Sequence, residues 1–175
     1  MALNQYVVQV ASGDGALVTT GAGLLTGANA VLTVNNSTIN DAGGTNVMDL
    51  SSSTGSVNTV HLTGTGISYL INVGTNEVIT TVPTHVVVIN EVSTGSIGTT
   101  VAMGSDAAPV ITAIAANTYA TYQALSTYAQ TQVAGTVISE VIGANQYYAD
   151  ANGVVVELVG SHTANVVGTL LHINS

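Results

Sequence analysis

The chain has 175 residues carrying nine carboxylates, four histidines and no lysine or arginine, for a formal charge of −9. Nucleic-acid backbones are held by Lys and Arg that displace counterions, so that class of partner is excluded. P-loop and arginine-finger phosphoryl transfer and Schiff-base chemistry go with it, and anionic membranes repel such a chain. Apolar residues, at 46%, suffice for one core in a single domain spanning 1–175. With no cysteine there is neither a disulfide framework nor a thiolate metal site.

Met1–Val10 shows neither a basic start nor a long apolar stretch, so no classical secretory signal is expected. β-Branched runs between Gly, Ser, Asn and Asp clusters predict strands at Gln5–Ala11, Ala16–Thr19, Asn29–Val34, Asn46–Ser51 and Ser56–Thr63. The turns among them hold acids, Asp14 in Ser12-Gly13-Asp14-Gly15 and Asp41 in Asn40-Asp41-Ala42-Gly43-Gly44. Two overlapping N-x-[ST] sequons in Asn35-Asn36-Ser37-Thr38 read as a surface loop.

Ile67–Val73 is expected to return through Gly74-Thr75-Asn76 into Glu77–Val82 as a hairpin, followed by strands His85–Val92 and Ser96–Ala102. Beyond Pro109 the pattern changes. Asn117 could cap a helix over about 118–132, with Tyr119, Tyr122, Leu125 and Ala129 on one face and Gly135 as its stop. A further strand pair competes with that helix, because Thr and Tyr are weak helix formers. Strands resume at Thr136–Ile142. Tyr147-Tyr148-Ala149 then returns through Asp150-Ala151-Asn152-Gly153 into Val154–Leu158, a strong Asn-Gly turn, and Val166–His172 closes the chain.

These elements predict a mainly β fold, an antiparallel β-sandwich or barrel-like domain with one short helix. No fixed-period repeat is evident, which weighs against a solenoid.

Chemistry-bearing motifs are sparse. His61, His85, His162 and His172 fall in no metal-binding spacing, and no G-x-S-x-G elbow occurs, so a non-enzymatic role is expected. The carboxylates have no internal cation to pair with. Calcium is their natural counterion, and Asp14, Asp41 and Asp150 are its candidate ligands because turn carbonyls lie alongside. Solvated acids that keep the chain soluble are the plainer alternative, and no other cofactor is expected. Tyr147 and Tyr148 are adjacent strand residues on opposite faces, so one of them is expected to meet solvent or a neighbour.

Uncharged Val/Thr/Ile strands without edge lysines are what soluble monomers avoid. The expected function is therefore a self-assembling structural subunit of an extracellular filament, surface layer or phage virion, in a capsid, decoration or tail role. Its partners are copies of itself, with no nucleic acid and no membrane insertion. The terminal strands, through Val8 and Val166, and the pair Tyr147 and Tyr148 are the expected contacts. A glycan-binding or calcium-dependent adhesion module on a β-sandwich is the alternative.

Overall fold

A computed structural model describes residues 7–10, 38–41, 43–50, 58–71, 73, 77–89, 99–103, 110–160 and 162–174. The elements are β1 (Val7–Val10), β2 (Thr38–Asp41), β3 (Gly44–Asp49), β4 (Thr59–Leu62) and β5 (Gly66–Ile71). They continue with β6 (Val78–Thr80), β7 (His85–Ile89), β8 (Thr100–Ala102) and β9 (Val110–Ala113). After α1 (Tyr122–Ala129) come β10 (Thr136–Ile142), β11 (Asn145–Asp150), β12 (Val155–Leu158), β13 (Ala164–Val167) and β14 (Leu170–Ile173).

These strands form two seven-stranded sheets. The first has the order β1-β2-β4-β6-β8-β14-β13 and the second β3-β5-β7-β12-β11-β10-β9. From β2 to β8 the chain alternates between the sheets, and each strand pairs in parallel with the one two places on. This is a solenoid-like stack, which corrects the expected antiparallel sandwich or barrel. Thr38, Thr59, Val78 and Thr100 occupy one row of the first sheet, giving rungs of 21, 19 and 22 residues. The unequal spacing explains why no fixed period is visible in a chain that nevertheless coils.

The predicted hairpin between Ile67–Val73 and Glu77–Val82 is corrected for the same reason. β5 lies in the second sheet and β6 in the first, so the two are not paired with each other. The hairpin at Asp150–Gly153 is present, with β11 and β12 antiparallel. Val166–His172 is also corrected. Gly168, at φ +64°, splits it into β13 and β14, which pair as a hairpin. Gly143, also at φ +64°, opens the two-residue turn between β10 and β11. In both turns only the first central residue has positive φ, the type II′ pattern that glycine favours.

Apolar residues alternate to fill two layers. Between the sheets, Ile39, Val60, Ile79, Val101 and Leu171 of the first meet Met48, Leu70, Val87, Ile89 and Val156 of the second. Each fully buried Leu, Ile or Val contributes about 2 kcal/mol by leaving water. Behind the second sheet, Val86, Val88, Ile138 and Val155 pack against Leu125 and Ala129 of α1. All five residues of β7 are therefore buried, apolar on both faces after His85.

The helix is present but shorter than the expected 118–132, and its cap differs. Thr121, in extended conformation, accepts from the Ala124 N–H at 3.3 Å. Asn117 instead takes the left-handed region at φ +56°, where its Oδ1 accepts from the Gly143 N–H at 2.8 Å. Asn tolerates that backbone better than other non-glycine residues. The expected strands Ala16–Thr19 and Asn29–Val34, the sequon residues Asn35, Asn36 and Ser37, and Asp14 lie outside the described residues, while Thr38 opens β2.

Candidate functional site

The buried carboxylates show how this chain manages charge without cations. At the corner between β2 and β3, Asp41 is fully buried. Its Oδ1 accepts from the Asn46 side-chain amide at 2.8 Å and the Gly43 N–H at 3.0 Å, and its Oδ2 accepts from the Ser68 hydroxyl at 2.8 Å. Ser68 Oγ also lies 2.8 Å from His85 Nε2, and His85 Nδ1 faces the Thr63 carbonyl at 3.3 Å. Burial pushes the His85 imidazole below its usual range, against the pull of Asp41 and the Thr63 carbonyl.

Asp41, Ser68 and His85 thus come together, but not as a nucleophilic triad. In a triad the histidine sits between acid and serine and takes the serine's proton. Here the serine sits in the middle and donates to the acid, and all three side chains are sealed at 0% exposure. The trio ties three successive rungs of the stack together.

Asp150 is likewise fully buried and closes its own turn. Its Oδ1 accepts from the N–H groups of Asn152 at 2.9 Å and Val154 at 2.8 Å. Both described calcium candidates therefore spend their oxygens on turn and rung donors. Among the described residues, no group of three or more His, Cys, Asp or Glu side chains is placed to hold a metal ion.

Glu77 precedes β6 in the core row Asn58–Glu77–Thr99, whose members are all fully buried. Its carboxylate accepts from the Asn58 N–H at 2.5 Å and the Asn58 side-chain amide at 3.0 Å. Desolvation dominates these bonds and raises its pKa to about 7. Glu140, 1% exposed, accepts from the Tyr119 N–H at 2.8 Å through Oε1, while Oε2 is buried without a hydrogen-bond partner.

The outer face of the second sheet holds Tyr119, Tyr122, Tyr128 and Tyr147. Tyr119 and Tyr128 stack with ring centres 5.3 Å apart. Tyr147 is raised to about 12, first by burial and then by Glu157, which also accepts from Asn145 at 2.6 Å. A groove of about 340 Å³ runs between Tyr122, Gln123 and Ser126 of α1 and a floor of Ile67, Val86 and Val155. Tyr148 points the other way. It is 3% exposed in the core between the sheets, and its hydroxyl accepts from the Ala164 N–H at 2.8 Å. Of the neighbouring pair, Tyr147 is therefore the one on the outer face.

The outer face of the first sheet is the opposite in character. Asn40, Thr59, His61, Val78, Thr80, Thr100 and His172 line it, with no carboxylate among them. His61 Nδ1 lies 2.7 Å from Thr80 Oγ1 on the adjacent strand.

The ends of the stack are open among the described residues. β13 ends the first sheet and β9 the second, and the two touch. Neither Val110–Ala113 nor Ala164–Val167 contains a charged residue or a proline. Val110 is 67% and Val167 55% exposed. The N–H groups of Val110 and Ile114 bond back toward β10, so those of Ile111 and Ala113 point to the free side. Of the sequence-predicted contacts, Val166 lies on β13 at this end, and Val8 lies at the other end on β1, paired with Ile39 of β2. β9, Val110-Ile111-Thr112-Ala113, has no counterpart among the predicted strands.

No helix among the described residues is long and apolar enough to cross a membrane. Comparison with family models, curated proteins and solved structures finds no match to this chain.

Proposed function

We propose that the protein is a non-enzymatic, self-assembling structural subunit of an extracellular filament, surface layer or phage virion. The observation that carries this is the end formed by β9 and β13, which has no cap among the described residues. Solenoids ordinarily need a polar terminal cap to stay soluble, and free sheet edges are ordinarily blocked by lysine, proline or a bulge. Among the described residues these two adjacent edges are exposed, uncharged and unblocked. Pairing with another copy satisfies their backbone groups and covers Val110 and Val167. The outer face of the first sheet, free of carboxylates among the described residues, offers a second surface for lateral packing.

Negative-stain electron microscopy with static light scattering tests this directly. Ordered polymers or closed rings are expected, and a monodisperse 17.5 kDa species at high concentration contradicts it.

The groove beside α1 favours a second reading, a glycan-binding module. Its Tyr122 ring with the Gln123 and Ser126 side chains suits a sugar's mixed apolar and hydroxyl faces. A monomer whose melting temperature rises with added oligosaccharide supports this alternative over assembly.

A further inference from the structure

Resting on the assembly reading, we propose that copies stack head to tail along the solenoid axis. The β9/β13 end of one copy adds to the β1/β3 end of the next, so that both sheets run on unbroken from subunit to subunit.

Strand direction is the first support. In the second sheet, β3, β5, β7 and β12 are parallel, β11 reverses, β10 reverses again, and β9 follows β10. β9 therefore runs in the same sense as β3 at the far edge. In the first sheet, β1, β2, β4, β6 and β8 are parallel, β14 reverses and β13 reverses again. β13 therefore runs in the same sense as β1. A head-to-tail joint continues a parallel ladder at both edges simultaneously, in the pairing mode that already builds most of the stack.

The shape of the ends is the second support. Each sheet has seven strands among the described residues, so any step between the sheets at one end is matched by the complementary step at the other. A step is present. Ala113 lies on the inward side of β9, in register with Ser139, yet it is exposed while Ser139 is buried. Among the described residues, the tip of β9 thus lacks a covering strand. Two identical β9/β13 ends brought face to face would leave it so, whereas the β1/β3 end supplies a first-sheet strand opposite it. Such a contact joins two different surfaces of the same subunit and does not close on itself, which makes an open fibre.

The absence of native cysteine makes a cross-linking test clean. Val110 on β9 and Val47 on β3 are both exposed on the outer face of the second sheet, at its two edges. Within one copy they are six strands apart across the sheet and four register positions apart along it, about 32 Å at the usual strand geometry, too far for a short bis-maleimide. The Val110→Cys/Val47→Cys double variant, assembled and treated with that reagent, should give a ladder of covalent oligomers, and Val110→Cys alone should give none. Covalent dimers from Val110→Cys alone, in polymers that light scattering shows intact, overturn the head-to-tail joint while leaving assembly standing. Intact polymers of the double variant without a ladder do the same. A chain that remains monomeric throughout overturns the assembly reading itself.

Discussion

Gly66 lies so close to Gly44 on the adjacent rung that a Cβ built on it would stand 2.0 Å from the Gly44 carbonyl oxygen. Backbone cannot step aside as a flexible side chain can. Gly66→Ala must push two strands of the second sheet apart and should cost about 3 kcal/mol or more. Gly143→Ala is the control, because nothing lies within 4 Å of its Cβ and only its φ of +64° is offended. That substitution should cost about 1 kcal/mol. Urea denaturation of both variants checks the order, and equal losses would remove the close approach as the cause.

Glu77 should make stability depend on pH with a definite sign. Its pKa rises from the usual 4.5 to about 7 on folding, so the native state holds a proton that the unfolded state releases between those values. Its contribution is full below about 4.5, falls as pH rises to about 7, and is level above, amounting to about 3 kcal/mol at most. His85 works oppositely. Its depressed pKa contributes stability above about 6.5 that is lost as pH falls. Glu77→Gln removes only the first effect, so its stability relative to wild type should improve from about pH 5 to pH 8. A constant difference across that range would contradict the raised pKa.

Asp41→Ala and Asp150→Ala should each lower stability by about 2–4 kcal/mol, because each strands several buried donors. The loss should be the same with calcium or with chelator, since those oxygens already serve turn and rung donors. A calcium-dependent rise in melting temperature that either substitution abolished would show that the carboxylate binds the ion.

Nine acids with no lysine or arginine make neighbouring copies repel one another. Polymer yield should therefore rise with ionic strength and as pH falls toward the sequence pI of about 4.2. Light scattering across a salt series reads this. Yield that fell with added salt would mean that attractive charge pairs hold the contact and would contradict this.

Local structure was legible in the sequence where local chemistry decides it. Thr136–Ile142 and the turn at Asp150–Gly153 stand where the β-branched run and the Asn-Gly pair place them. Gly168 gives no clear break in the sequence because Val166–His172 is apolar and β-branched on both sides of it. Topology was not legible. Gly74-Thr75-Asn76 suits a hairpin and a solenoid corner equally, and only long-range pairing of β5 with β3 and β7 separates them. The meeting of Asp41, Ser68 and His85 was hidden for the same reason, since rungs of unequal length bring distant residues together without a repeating signature.

The most direct measurement is light scattering on the chain beside a Val110→Lys/Val167→Lys double variant. Both positions are exposed on the open edges, so the lysines should leave the melting temperature of the fold unchanged while blocking edge pairing. Wild type should scatter as a polymer many times its subunit mass, and the variant as a 17.5 kDa monomer. A wild type that is monomeric at high concentration, or a variant that polymerises as wild type does, would contradict assembly through this end.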